Sequence, residues 1–390
     1  MITVEEARAL LFDLVSPLPG ETVPLSDAAG RVLSQDVEAT RDQPPFAASS
    51  MDGYAVKSTE VELHAMFKVI GESAAGKRFQ GSVGPGQAVR IFTGAPIPEG
   101  ADFVVIQEDT ERRGDLITIS DLPGPKTNIR PAGVDFTVGT KISAPRRLRA
   151  EDVALMAAMN IAAVPVSRKP VIALISTGDE LVMPGDVPGP DQIIASNTFG
   201  LKALLEEAGA HVRVLPIAQD TVSSLRTAFE LGEGADLVVT IGGASVGDYD
   251  LVSDVSAGLG MEQSFYKIRM RPGKPLMAGR LGQAAMVGLP GNPVSAMVCG
   301  YLFLLPMVRQ MLGVEQVLTP FQTARLTEPL DKNGPREHYM RATLDETGIR
   351  ACRDQDSSLL SVLAQANALL VRPPHDPALL AGDKVQYLPI

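Results

Sequence analysis

Apolar positions along the chain fall into four regimes. Ala7, Leu10, Leu11 and Leu14 repeat at helical spacing behind Thr3 and Glu6, whose types and spacing make a capping box, so an amphipathic helix is expected to open the chain and end near Pro17. A polar stretch, Arg41-Asp42-Gln43-Pro44-Pro45-Phe46, follows. Between 55 and 142 short apolar runs at 67–70, 88–92, 103–106 and 116–119 alternate with glycines and prolines, the pattern of a small β-rich domain. A second helix near 151–159 leads on to Val164-Pro165.

From Pro170 the pattern changes. A continuous apolar run at 171–175 predicts a buried parallel strand. Ser196 or Asn197 then caps a helix with Leu201, Leu204, Leu205 and Ala208 on one face, stopped by Gly209. A strand at 212–217, a helix capped by Asp220 and carrying Val222, Leu225 and Phe229, and a strand at 237–241 ending in Gly242-Gly243 come next. A later strand at 285–289 runs into a helix from Pro293. Strands alternating with amphipathic helices predict a doubly wound α/β domain over 169–315. Short strands at 323–326, 338–344, 368–371 and 384–388 then predict a small all-β domain.

A chain of 390 residues exceeds the roughly 250–300 at which single cores stop growing, so several domains are expected. With 45% hydrophobic and 21% charged residues it reads as globular. The formal charge of −11 argues against general nucleic-acid binding, while leaving room for a local anion site. Cys299 and Cys352 form no CxxC, which argues against a disulfide framework or a cysteine zinc site. The start lacks the pattern of a signal peptide, and the apolar run 294–308 is broken by Ser295, Gly300 and Pro306 and shorter than the roughly 20 residues of a bilayer span. The expectation is a cytoplasmic protein without membrane contact.

Open α/β sheets bind ligands at the carboxyl ends of their strands, and four segments there carry unusual chemistry. In Ser176-Thr177-Gly178-Asp179-Glu180, adjacent carboxylates either serve a hard cation such as Mg²⁺ or cap a turn. In Gly242-Gly243-Ala244-Ser245-Val246-Gly247-Asp248, glycines and a hydroxyl either cradle a phosphate, with Asp248 holding a metal or acting as base, or form a plain turn. Lys267, Arg269, Arg271 and Lys274 either form an anion trap, three of them on one strand face, or guard a sheet edge. In Leu289-Pro290-Gly291-Asn292-Pro293-Val294-Ser295, Pro293 opens a helix whose first-turn amides, with Ser295, either receive a tetrahedral oxyanion or merely turn the chain. Outside this domain Asp52, before Gly53, is a ligand or a turn residue. The four histidines have no metal-ligand spacing, and both cysteines read as packing residues.

The ordered segments Pro-Pro-Phe at 44–46 and Ser-Met-Asp-Gly-Tyr-Ala at 50–55, Phe-Thr-Gly-Ala-Pro-Ile-Pro-Glu-Gly-Ala-Asp at 92–102, Ser-Thr-Gly-Asp-Glu-Leu at 176–181, Gly-Gly-Ala-Ser-Val-Gly-Asp-Tyr-Asp at 242–250, Arg-Pro-Gly-Lys-Pro at 271–275 and Leu-Pro-Gly-Asn-Pro-Val-Ser at 289–295 span nearly the whole chain. Together they closely resemble the molybdopterin molybdenumtransferase family, the MoeA-like proteins, whose eukaryotic relatives include the E domain of gephyrin. The resemblance implies an α/β multidomain protein with a MogA-like doubly wound parallel-sheet domain (169–315). A discontinuous N-terminal domain (1–37 with 138–168) would surround an inserted β-rich domain (38–137), and a C-terminal β-barrel-like domain would occupy 316–390. It implies insertion of molybdenum from molybdate into adenylylated molybdopterin, with release of AMP and a need for Mg²⁺. It also implies a homodimer whose site draws on both subunits, and contacts with the adenylyltransferase and apo-molybdoenzymes.

Carried over by position, the family's acidic residues fall on Asp52, Glu180 and Asp248, its polar site residue on Thr93, and its molybdate pocket on Ser245, Arg271, Lys274 and Ser295, with Arg341 and Ser358 as further matches. Gly242, Gly243, Gly291 and Asn292 would shape the binding loops. Ala47 stands where the family often has an acid, and Arg271 where it more often has lysine. Two other readings are a scaffold of the gephyrin type and the molybdopterin adenylyltransferase that performs the preceding step.

Overall fold

A computed structural model describes residues 1–243 and 251–390 of the chain. The capping box forms. The Thr3 hydroxyl accepts from the Glu6 amide at 3.1 Å, the Glu6 carboxylate accepts from the Thr3 amide at 2.7 Å, and the helix runs Val4–Asp13. Its Val4, Ala7 and Leu11 are buried together with Ile172, Leu237 and Met307, so the helix lies on the core of the α/β domain. The next segment goes elsewhere. Gly20–Pro24 pairs antiparallel with Ala163–Ser167, in a four-stranded sheet completed by Val32–Leu33 and Arg146–Arg147. Val37–Glu38 pairs with Lys141–Ile142, and a separate core around Leu33, Met156, Val164 and Val166 fills the space beneath.

Between these segments lies a six-stranded sheet in the order Phe103–Ile106, Gly53–Val56, Gln87–Ile91, Met66–Ser73, Leu116–Ile119, Thr110–Arg113. Directly behind the turn expected at Asp52, Gly53–Val56 is a buried inner strand. Only glycine fits at its head, since a Cβ on Gly53 would fall 2.0 Å from the Val105 carbonyl oxygen of the neighbouring strand.

The α/β domain carries a six-stranded sheet in the order His211–Val214, Val171–Ser176, Leu237–Ile241, Ala284–Leu289, Met277–Leu281, Glu262–Tyr266. The first four strands pair in parallel, and the last two join through antiparallel pairings, so that only Met277–Leu281 runs against the rest. Apolar clusters cover both faces, as the continuous apolar strands require. The helix Val222–Leu231 is capped by Thr221, whose hydroxyl accepts from the Ser224 amide at 3.2 Å. The expected cap, Asp220, is therefore free for another task. Pro293–Met311 forms a nearly continuous helix, the one described helix long and apolar enough to cross a membrane, and 72% of its apolar window is buried inside the molecule.

The C-terminal sheet runs Met270–Arg271, Glu337–Asp345, Ala368–Arg372, Lys384–Pro389, Gln322–Arg325, with Gly348–Ala351 beside Glu337–Asp345. A bridge from Leu326 to Ile349 brings its ends together in a barrel-like closure. Met270–Arg271 is lent by the α/β domain. That overturns the expected row of three cations on one strand face. Lys267 has φ +73°, the Arg269 amide donates to the Ile2 carbonyl at 2.7 Å, and only Arg271 of the three lies in a strand.

The entrance to the α/β sheet is held by Asp236. Its carboxylate accepts two bonds from the Arg168 guanidinium, at 2.8 and 3.0 Å, and one from the Val171 amide at 2.7 Å. Arg168 in turn donates its amide to the Pro19 carbonyl at 3.0 Å. Asp236→Ala leaves the Val171 amide unpaired and strips the Arg168 guanidinium of its carboxylate, keeping only its bond to the Lys169 carbonyl, so a stability loss of about 1–3 kcal/mol is expected. It should appear as an earlier urea midpoint, and an unchanged midpoint would sink this assignment.

Candidate active site

The parallel strands end at a cleft of about 1140 Å³, lined by 176–178, 180–181, 193–197, 241–243 and 290–293, with Asp220, Leu251, Pro275 and Ser358. Glycine builds its floor. Gly242 and Gly243 have φ of +97° and +65°, and a Cβ on Gly242 would lie 2.5 Å from the Thr177 carbonyl oxygen. Backbone of this kind favours glycine both by conformation and by space. Gly178, at φ +148°, lies under the Glu180 carboxylate, and a Cβ there would come 2.5 Å from Glu180 Oε2. Asn197, which the sequence offered only as a helix cap, donates its side-chain amide to the Gly291 carbonyl at 2.7 Å and so fixes the opposite loop.

Three carboxylates gather at one end. The Asp179 carboxylate accepts from the Asp220 amide at 3.1 Å. Burial, and then the charges of Asp179 and Glu180, push the Asp220 carboxyl above its ordinary pKa. Among the described residues no three His, Cys, Asp or Glu side chains stand close enough together to hold a metal ion. Glu180 and Asp220 nonetheless offer oxygen donors from two strand-end loops into one cleft, which suits Mg²⁺, a cation that keeps several waters and takes one or two carboxylates plus substrate phosphates.

The structure thus brings Glu180, Gly242, Gly243, Gly291, Asn292 and Ser358 together. Ser245 and Asp248 lie outside the described residues. Ser295 does not line the cleft: it is 4% exposed, on the packed side of its helix. The expected ring of free first-turn amides is also reduced, because Pro293 has none and the Val294 amide donates to the Ser357 carbonyl at 3.0 Å. Lys274 is half-buried and only its neighbour Pro275 reaches the cleft.

Arg341, 1% exposed, donates to the carbonyls of Asp356 at 2.9 Å and Asp354 at 3.0 Å, organising the loop that presents Ser358. Asp356 in turn accepts from the Ser358 hydroxyl at 2.7 Å. Arg271 and Arg341 both press on His338. Burial first, then those charges with Arg336 and Arg372, push its pKa down to about 4.

Asp52 and Thr93 sit apart from the cleft, in the β-rich domain. Asp52 Oδ1 accepts from the Thr93 amide at 2.7 Å and its hydroxyl at 2.8 Å. These two bonds, the amide first, hold the carboxyl below its usual pKa, with a smaller contribution from Arg90. The Arg90 guanidinium lies between the rings of Tyr54 and Phe92, 5.1 and 4.9 Å from their centres, and donates to the Gly53 carbonyl at 3.2 Å. The arrangement is a fixed, ionised carboxylate on a rigid sheet end.

Known proteins place this architecture. Residues 2–160 match the MoeA N-terminal region (domain I and II), 173–310 the probable molybdopterin binding domain, and 323–390 the MoeA C-terminal region (domain IV). A molybdopterin molybdenumtransferase of Nostoc sp. is 35% identical over all of this chain and 94% of its own length. One from Haemophilus influenzae is also 35% identical, over all of this chain and 98% of its own. The crystal structure of a molybdopterin biosynthesis MoeA protein from Pyrococcus horikoshii superposes with a TM-score of 0.86 at 29% identity, covering all of this chain and 99% of that one. The chain belongs to the molybdopterin molybdenumtransferase family. It is a transferase of molybdenum cofactor biosynthesis.

Within this molybdenumtransferase fold, Asp220 and Asn197 are the cleft residues that sequence reasoning passed over as site residues. The available signal was their position just after a predicted strand and at a helix start. For Asp52, Thr93→Val removes one of its two bonds and keeps the amide. The Asp52 carboxyl is expected to titrate at higher pH, read by NMR of its side-chain carbon, and an unmoved titration would show that the hydroxyl contributes nothing.

Proposed function

We propose that the cleft binds adenylylated molybdopterin and that the protein uses molybdate to insert molybdenum into it with release of AMP. The observation that carries this reading is the convergence of two glycine-lined loops and two carboxylates at the parallel strand ends. Glycine backbone admits a phosphoanhydride closely, and the carboxylates match a magnesium-bound phosphate. In the reaction an oxygen of molybdate or water bonds to the phosphorus on the pterin side of the anhydride, the bond from that phosphorus to the bridging oxygen breaks, and AMP leaves with the bridging oxygen and the bonding electron pair.

Glu180 and Asp220 would hold Mg²⁺, which when bound would neutralise charge on the leaving phosphate. Asn197 fixes the Gly291 turn against which the substrate lies. Molybdate, a tetrahedral dianion, suits Arg271 and Lys274, the cations beside Pro275, with Ser358 presented by the Arg341-held loop. Asp52, outside this cleft, is read as reaching the site of a second copy, so the working unit is a homodimer. Both cysteines are free thiols, which fits a reducing, cytoplasmic compartment.

Wild-type protein given adenylylated molybdopterin, Mg²⁺ and molybdate is expected to release AMP. Release absent under these conditions, with ligand binding intact, would favour the scaffold reading. Glu180→Ala and Asp52→Ala should each abolish release, and mixing the two chains should restore part of it. No recovery in verified heterodimers would place the site within one chain. Lys274→Ala should raise the molybdate needed for turnover about 10- to 150-fold, the worth of one charge-assisted bond. An unchanged requirement would remove Lys274 from the oxyanion pocket.

A further inference from the structure

The β-rich domain holds Asp52 by more than its bonds to Thr93. Asp52 stands just before the strand Gly53–Val56, Thr93 two residues after Gln87–Ile91, and Gln107 directly after Phe103–Ile106. These three strands are neighbours, with Gly53 opposite Ile91 on one side and Ile106 on the other. Their ends therefore meet at one corner of the sheet. Thr93 grips the Asp52 side chain there, and the Gln107 amide donates to the Asp52 carbonyl at 3.0 Å.

One side chain ties that corner together. The Arg90 guanidinium donates to the Gly53 carbonyl at 3.2 Å and to the Gln107 side-chain oxygen at 2.6 Å. It also stands over the rings of Tyr54 and Phe92, and Phe92 directly precedes Thr93. Each of the three strand ends that hold Asp52 is thus fastened to the same guanidinium. A flat fork can donate in two directions while its faces lie against rings, which lysine, a point charge on a flexible stem, cannot do. The Asp52 carboxylate accepts both Thr93 bonds on Oδ1, and among the described residues its Oδ2 has no hydrogen-bond partner. Arg90 directs its bonds to the corner and not to the carboxylate, so that oxygen stays open.

We propose that Arg90 is a positioning residue for Asp52: it locks the strand ends so that Asp52 stays seated on Thr93 with one carboxylate oxygen open for the reaction. This rests on the reading of Asp52 as a residue of the site. A carboxylate that acts from a fixed place loses rate when it drifts, on the order of 100-fold for a displacement of about 1 Å.

The test uses the full-length protein with Arg90→Lys, which keeps the charge and loses the fork, and Gln107→Leu, which keeps Arg90 and removes one of its acceptors. Two quantities are read: the titration of the Asp52 carboxyl, by NMR of its side-chain carbon, and kcat and KM for AMP release. The Thr93 bonds hold the Asp52 carboxyl below its usual pKa, so loosening them moves its titration to higher pH. Because lysine keeps the positive charge, a rise in Arg90→Lys reports lost seating and not lost charge. The expected result is such a rise together with a fall in kcat of about 10- to 100-fold and little change in KM. An unmoved Asp52 titration overturns the proposal, since Arg90 would then serve the fold alone. A moved titration with wild-type kcat overturns it as well. Should Arg90→Lys not fold, the same outcomes in Gln107→Leu decide. Asp52→Ala with wild-type turnover would instead sink the reading of the site, and the proposal with it, whatever the titration shows.

Discussion

The site depends on how closely two neighbouring strands run together at their carboxyl ends. Val171–Ser176 and Leu237–Ile241 are parallel and in register up to Ser176 and Ile241, and the next bond, from the Thr177 amide to Ile241, pulls the two exits onto each other. At that separation the chain leaving Leu237–Ile241 can carry no side chain for two residues. Gly242 and Gly243 meet the requirement by turning at positive φ over Thr177. The absence of side chains there makes a floor where backbone, not bulk, faces the cleft. The remaining walls need only be brought up to it.

Bringing them up is the work of distant segments. The loop at 290–293 is pinned by Asn197, and the loop carrying Ser358 by the buried guanidinium of Arg341 and by the bond from Val294 to Ser357. Met270–Arg271 crosses into the C-terminal sheet, so that sheet and the α/β domain share a strand. The opening helix packs on the α/β core while the strand after it joins another sheet, which ties a third unit to the same frame.

The charges are sorted within an acidic chain. Carboxylates gather at one end of the cleft, where burial and then the charges of Asp179 and Glu180 raise the Asp220 pKa. Cations gather behind the 271–275 loop, where His338 is kept neutral by burial and by the surrounding arginines. The Asp52 carboxyl, on its own sheet, is held below its usual pKa by the Thr93 amide and then its hydroxyl. An acid end and a basic end are what a phosphate-bearing ligand with a cation, and a separate oxyanion, would each require.

Local pattern determined much of this. The capping box at Thr3 and Glu6, the apolar runs that became the parallel strands, and the glycine turns that end them depend on neighbours in sequence, and they formed where the residues indicated. Tertiary structure decided the rest. Gly53–Val56 is a strand because Val105 and Arg90 lie on either side of it, remote partners that four residues behind a glycine turn do not announce. The basic run at 267–271 is broken because Ile2 and the C-terminal sheet claim its backbone. Asp220 lost its cap to Thr221 and gained a cleft, and the Thr177 hydroxyl became buried only when Gly242 and Gly243 came to lie against it. Propensity and periodicity are summed over adjacent residues, whereas burial and hydrogen-bond satisfaction are set by which remote segments meet.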